Sequence, residues 1–282
     1  VCTLFSSSKG NSTYIYGGGT GILIDAGRSA KQLADALCGI SVSPEELSGV
    51  FITHTHSDHI SGLSVMVRRY HLPVYASEET LRELLRLGCI KTTDEYHCVD
   101  KDGIILGGLS VSSFPTSHDC EGSCGYSVLT SDGRKISLCT DTGYISESIK
   151  SAVIGSDLAV IESNHDIDML KTGPYNAALK KRVAGMCGHL SNKSCADFLP
   201  VLAQNGTTRF ILAHLSQENN TPAIAYKTAC TALKNAGLDE NSDFEITEDL
   251  SANLLYPKDL ANSSATVKIA PKRGLSLGKH TG

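Results

Sequence analysis

The stretch FITHTHSDHISGL, residues 51–63, places four side chains of metal-ligating type, His54, His56, Asp58 and His59, within six positions. Imidazole nitrogens and carboxylate oxygens are the donors that zinc and manganese take. An apolar run of strand character precedes them, and on extended chain His54 and His56, two apart, point the same way. Asp58 and His59 then open a helix on which Ile60, Leu63, Val67 and Tyr70 share one apolar face. One strand-to-helix turn can therefore supply two adjacent metal ions, a reading favoured over a histidine-rich surface loop.

Three further candidates stand at the ends of apolar strands: His118 after VSSFPTS, Asp141 after KISLCT and His214 after RFILA. Singly, each could be a turn residue. Loops at strand ends are nevertheless where a layered fold gathers side chains from distant sequence, and beside the first motif the turn reading weakens. His189 in CGHLSN shares an HLS setting with His214 in ILAHLSQ. Whether both bind metal depends on how many ligand positions are already filled.

The elements that must carry these residues alternate between short apolar strands and amphipathic helices. STYIYG, GILIDAG, GVFITH, LSVSSFP, GYSVLT, KISLCTD, DLAVIES and RFILAHL read as strands. Helices are expected over SAKQLADALCG, stopped by Gly39, and near 78–88, 144–153, 175–186, 192–203 and 222–236, with Ser191 or Asn192 capping the helix after His189. The pattern implies a layered α/β fold. The Asp-Gly turn in VLTSDGRKISL makes the sheets at least partly antiparallel, and a purely parallel doubly wound sheet is disfavoured. Residues 1–270 read as one domain, and the polar, basic segment 271–282 as a mobile tail.

Composition narrows the setting. The chain has 282 residues, 41% hydrophobic and 20% charged, with a net charge of −5. That is ordinary globular material without global attraction to nucleic acid, although a local basic patch remains possible. No apolar stretch approaches the roughly 20 residues of a membrane span, and the first residues lack the features of a signal peptide. A soluble protein is expected. Ten cysteines scattered through apolar segments suit reduced, buried thiols and a cytoplasmic location. CEGSC, residues 120–124, has no matching second pair for a zinc knuckle.

HxHxDH followed by His, Asp and His at strand ends resembles the metallo-β-lactamase superfamily over nearly the whole chain. The resemblance implies an αββα sandwich of mixed sheets with the metal site at one edge. It implies two divalent ions, Zn2+ or Mn2+: one held by His54, His56 and His118, the second by Asp58, His59 and His214, with Asp141 bridging both. Asp25, ending GILIDAG, matches an aspartate that supports such sites from behind the ligands.

The superfamily motif speaks less clearly for the reaction, since relatives cleave lactams, thioesters, lactones and phosphodiesters. Asp141 stands where zinc β-lactamases present cysteine, and Cys139, two residues earlier, is expected to face away. The 72 residues between Asp141 and His214 leave no room for the large inserted domain of β-CASP nucleases. SSSKGNST, TSHD, TDTGY and HLSQENN closely resemble the WalJ (YycJ) group of bacterial metallo-hydrolases, taken to be 5′-to-3′ exonucleases on double-stranded DNA. The two cysteines of SHDCEGSCGY depart from that pattern.

With seven ligand positions filled, His189 is surplus to the metals. Resemblance to tRNase Z-type nucleases implies that it is a general acid paired with Glu162; the alternative is a histidine that orients a ligand without entering the chemistry. Lys180, Lys181 and Arg182, on a helical insert with Lys171, could meet a phosphate backbone or form a solvated face. Lys9 in SSSKGN could contact phosphate or sit in a tight turn, the turn being slightly favoured. His165 could touch substrate or cap the insert, and His71, His97 and His280 read as ordinary.

The expected activity is two-metal hydrolysis of DNA by a metal-bridging hydroxide, with Asp58 also able to take a proton from the nucleophile. A small-molecule hydrolase of the same fold, acting on a cyclic phosphodiester, lactone or thioester, is the nearest alternative. A non-catalytic nucleic-acid-binding protein is the alternative of another class.

Overall fold

Apolar strands separated by tight turns or by crossover helices dominate the first hundred residues of the computed structural model, which describes residues 1–240 and 242–248. Strands β1 (Cys2–Ser7), β2 (Gly10–Gly17), β3 (Thr20–Ile24), β4 (Leu47–Phe51), β5 (Val74–Ala76) and β6 (Tyr96–Cys98) lie side by side in that order. The first three pair antiparallel through short turns. From β3 onward the pairing is parallel. Parallel neighbours need a crossover. Helix α1 (Ala30–Gly39) supplies it between β3 and β4, α2 (Ser57–Ile60) and α3 (Leu63–Tyr70) between β4 and β5, and α4 (Glu78–Arg86) between β5 and β6.

The second half builds another sheet by the same logic. Strands β7 (Ile104–Leu106), β8 (Leu109–Pro115), β9 (Cys124–Thr130) and β10 (Lys135–Cys139) form antiparallel hairpins. Strands β11 (Leu158–Glu162), β12 (Arg209–Ala213) and β13 (Glu245–Glu248) then add in parallel. Their crossovers carry α5 (Glu147–Val153), then α6 (Ile167–Thr172), α7 (Ala177–Val183) and α8 (Asn192–Gln204), and last α9 (Pro222–Asn235).

Three apolar layers join these parts. Ile22, Ile24 and Phe51 of the first sheet meet Tyr126, Val128, Leu138, Val160 and Ile211 of the second. Leu33, Leu37, Leu63 and Met66 pack helices onto the outer face of the first sheet. Ile161, Leu199, Phe210 and Leu233 do the same for the second. Alternation along β11 shows why the strand is apolar throughout: Leu158 and Val160 face the other sheet, while Ala159 and Ile161 face the helices. The result is the αββα sandwich expected from the sequence, with mixed sheets. Among the described residues no helix is long and apolar enough to cross a membrane.

The expected strands and helices are present with shifted ends, and β1, the short β5, β6, β7 and β13 and the six-residue α6 join them. One helix was expected to run from Asp58 to Tyr70; the structure breaks it at Ser61-Gly62 into α2 and α3. The backbone N–H of Gly62 donates to the Ala26 carbonyl, and a Cβ there would lie 2.0 Å from the Arg28 carbonyl oxygen. Close approach of the 25–28 turn therefore costs the helix its continuity. The segment 271–282 and His280 lie outside the described residues.

Candidate metal centre

The parallel strands of both sheets end at one edge, and the ligand-type residues follow those ends. Asp25 comes after β3, His54 after β4, Asp141 after β10 and His214 after β12, while Glu162 closes β11. Asp25, Asp141 and His214 have φ of 62°, 56° and 58°. A left-handed conformation is uncommon for residues with a side chain, and here it turns each strand end into the site. The same turn separates Cys139 from Asp141. Strand alternation would put residues two apart on one side, but Cys139 is buried in the helix-side core, away from the cluster as expected.

Nδ1 of His56 lies 3.1 Å from Nε2 of His54 and 3.1 Å from Nε2 of His118. Donors bound to a tetrahedral ion at about 2.0–2.1 Å are about 3.3 Å apart, so the three nitrogens already have a ligand spacing. Asp58 Oδ2 lies 3.6 Å from His59 Nε2 and 3.8 Å from His214 Nε2, making a second group. Asp141 faces both: its Oδ2 is 3.4 Å from His59 Nε2 and its Oδ1 3.8 Å from His118 Nε2. All seven ligand candidates thus converge.

Each histidine of the set has its other ring nitrogen engaged. His59 Nδ1 meets Asp25 Oδ2 at 2.7 Å, and His214 Nδ1 meets Glu162 Oε1 at 2.8 Å. His118 Nδ1 is 3.1 Å from the Gly188 carbonyl, which can only accept, so Nδ1 carries the proton and Nε2 the free lone pair. Thr53 Oγ1 is 3.0 Å from His54 Nδ1 and donates to Asp25. Asp119 Oδ1 stands 3.5 Å from His56 Nε2. Such partners fix the ring that presents the ligand nitrogen.

Two buried atoms test whether a cation fits. His214 Nε2 and Asp141 Oδ2 have no hydrogen-bond partner among the described residues. Left so, each costs about 1–3 kcal/mol. A divalent ion satisfies both, and the residues present fit one. Electrostatics point the same way. Burial would depress the His59 imidazole, but the carboxylates of Asp25, Asp141 and Asp58 outweigh it and hold it at about 9. Burial likewise opposes charge on Asp58, yet His214 and His59 hold its carboxyl well below the usual range. Burial, reinforced by the neighbouring imidazoles, keeps His54 far below the normal histidine range, hence neutral with an available lone pair.

His189 lies apart from the two ligand groups. Its Nδ1 is 2.8 Å from Glu162 Oε1, the oxygen that His214 Nδ1 also uses. The backbone N–H groups of Thr142 and Leu190 donate to Glu162 Oε2. Glu162 is fully buried; desolvation raises its carboxyl, but the charge and hydrogen bond of His189 and the bond from His214 bring it well below the usual range. Asp141, Glu162, His189 and His214 form a further group of ligand type. Its two Nδ1 atoms are already taken up by Glu162, so that group needs no ion. With Nδ1 engaged, Nε2 is the His189 atom left for the cleft it lines.

That cleft has a volume of about 340 Å³ and is walled by Ser8, Ser57, Asn164, Tyr175, Leu179, Arg182, Val183 and Ser216. A larger cavity of about 760 Å³, between Tyr14, Ile40, Val42 and Ile136, contains none of the cluster, so chemistry rather than size picks out the site. Of the cationic run on α7, Arg182 reaches the cleft. Lys180 Nζ donates to the Lys171 carbonyl, and Lys181 is exposed. Lys9 is exposed in the two-residue turn between β1 and β2, the tight turn expected of SSSKGN. His165 is buried, bridged to Ser191, and Ser191 caps α8. Cys120 and Cys124 are both free thiols; Cys124 is buried at the start of β9, and Cys120 Sγ lies 3.3 Å from Thr55 Oγ1.

Sequence reasoning missed Thr53, Asp119 and Asn11. Asn11 accepts from the Ser7 N–H, which turns its amide nitrogen toward Asp58 Oδ2, 3.2 Å away. Asp119 was visible as the neighbour of His118 in TSHD. Nothing in a lone Thr or Asn announces such a role.

The sequence matches the beta-lactamase superfamily domain over residues 20–215. It is 36% identical over 244 residues to exodeoxyribonuclease YycJ of Bacillus anthracis, across 86% of this chain and 92% of that one. It is 35% identical over 246 residues to exodeoxyribonuclease WalJ of Streptococcus pneumoniae, across 86% and 91% respectively. In three dimensions it is similar to the metallo-beta-lactamase fold protein YhfI from Bacillus subtilis, with a TM-score of 0.66 at 17% identity, covering 89% of this chain and 95% of that one. The domain match runs from β3 to just past His214, through both sheets and all seven converging ligand candidates, and the chain therefore belongs to the beta-lactamase superfamily, with the metallo-β-lactamase fold.

Proposed function

We propose that this chain is a metal-dependent phosphodiester hydrolase, an exonuclease acting on DNA from the 5′ end, in the cytoplasm, with two zinc or manganese ions. The observation that carries the reading is a histidine, His189, whose Nδ1 is held by a buried glutamate beside the seven converging ligand candidates. The names of the two relatives matched over 86% of the chain support it. A nucleic-acid substrate and ten free cysteines support the location.

Divalent ions bound there would supply Lewis acidity toward phosphate and a nucleophile at neutral pH. His54, His56 and His118 would hold one, Asp58, His59 and His214 the other, with Asp141 between them. Asp58, the most exposed carboxylate of the set at 23%, can also take a proton from the attacking water. With Nδ1 held by Glu162, His189 lines the cleft with Nε2 left for substrate, the arrangement of a general acid for the leaving oxygen.

Turnover on bis(4-nitrophenyl) phosphate and on 5′-labelled DNA, with zinc and with manganese, tests the reading. Cleavage of both, with mononucleotides released from the labelled end, is expected. Turnover of the small diester alone would make the chain a small-molecule hydrolase, and neither would leave a binding protein.

A further inference from the structure

The cleft is acidic at its floor, where Asp58 and Asp141 stand among the ligands, and among the described residues lining it Arg182 is the one lysine or arginine. Its Nε donates to Asp119 Oδ2 at 2.5 Å. That bond uses one of five N–H groups, and the side chain is 52% exposed, so the two Nη nitrogens are open to an oxyanion. The other oxygen of Asp119 lies 3.5 Å from Nε2 of both His56 and His118. One carboxylate therefore ties the cleft's cation to the first ligand group.

We propose that Asp119 is a positioning residue that holds Arg182 over the cleft as a clamp for a non-bridging phosphate oxygen of the bound strand, next to the scissile bond. The inference rests on the nucleic-acid reading and assigns its substrate contact. Guanidinium suits the task because its fork matches a phosphate, and anchoring through Nε fixes the plane of the fork before substrate arrives. A chain with net charge −5 needs such a local cation to admit a polyanion. Lys180 and Lys181, one turned to a backbone carbonyl and the other outward, do not supply it. An exposed ion pair contributes little to folding, so its removal is read at the site rather than in stability.

The test uses Arg182→Gln, Arg182→Lys, Asp119→Asn and the Asp119→Asn/Arg182→Gln double variant, all at saturating Mn2+. Binding is followed by anisotropy on a single-stranded oligonucleotide with phosphorothioate linkages, and KM and kcat on unmodified DNA. Arg182→Gln should weaken binding and raise KM by about 10- to 100-fold, with kcat falling much less. Arg182→Lys should restore part of the affinity. Asp119→Asn should shift KM the same way by a smaller factor, read with the saturating Mn2+ keeping the metal sites filled, and the double variant should be no worse than Arg182→Gln alone. Unchanged binding by Arg182→Gln, or multiplying effects in the double variant, would each overturn the assignment. Arg182-dependent binding without cleavage by the wild type would sink the nuclease reading and keep the clamp; cleavage untouched by Arg182→Gln would do the reverse.

Discussion

His189 and His214 meet on a single atom: Nδ1 of each lies 2.8 Å from Oε1 of Glu162. The two residues share an HLS sequence setting, yet His214 turns its remaining nitrogen toward Asp58 and the ligand cluster, while His189 lines the cleft. One buried carboxylate thus sets the tautomer of a metal-ligand candidate and of an acid candidate together.

Removing the charge of that carboxylate should damage both. In Glu162→Gln the amide has one oxygen for the four donors, Thr142 N–H, Leu190 N–H and the two imidazoles, that now share two. About 1–3 kcal/mol is expected for each donor left unsatisfied. Thermal unfolding with and without metal should show the loss, and metal content should fall along with turnover. A variant with full metal and reduced turnover would confine Glu162 to His189.

The two histidines should separate on metal content. His214→Ala should lose or weaken one ion and activity with it. His189→Ala should keep the metals and slow DNA cleavage by about 10²- to 10⁴-fold. A nitrophenyl diester, whose leaving group needs little protonation, should be affected much less. Equal damage to both substrates would remove His189 from acid catalysis.

Protein prepared without chelator should carry up to two equivalents of divalent metal. Asp141 faces both ligand groups, so Asp141→Ala should depress the occupancy of each rather than of one. Elemental analysis decides; full activity with one tightly held ion would exclude two-metal chemistry.

Metal-stripped protein should lose stability as pH rises from about 6.5 to about 9. His59 is held at about 9 by its carboxylates, against about 6.5 for an unfolded histidine. Between those values the folded chain binds the extra proton, so the stabilisation is fully present below 6.5 and gone above 9. His214, also raised, acts in the same direction. Denaturant titrations in EDTA at the two pH values measure it, and the metal-loaded protein should show no such loss. An EDTA-treated protein more stable at pH 9 would contradict the sign.

Gly27 is a sterically fixed point of the site. A Cβ there would fall 1.7 Å from the Asp58 carbonyl oxygen, so Gly27→Ala must push the Asp58-His59 turn away from Asp25. A destabilisation of about 1–3 kcal/mol with reduced metal content is expected. Unfolding and metal analysis of the one variant test both halves.

The dense His54-His59 motif, the strand-end positions of His118, Asp141 and His214, and the layered α/β class were legible in the sequence, because ligand chemistry and hydrophobic period are local properties of the chain. So was Gly62 as a residue, but not its effect: the break between α2 and α3 comes from the 25–28 turn packing against it, a contact between segments far apart in the chain's path. The same limit hid Thr53 and Asn11 and left Lys180, Lys181 and Arg182 looking alike. Their helix was readable, but which cation meets the cleft depends on how α7 is seated against Asp119. Composition and spacing determined which atoms could bind a metal. Only the tertiary structure decided which nitrogen of each histidine was free to do so, because that choice is made by partners such as Asp25, Glu162 and the Gly188 carbonyl that arrive from other strands and loops.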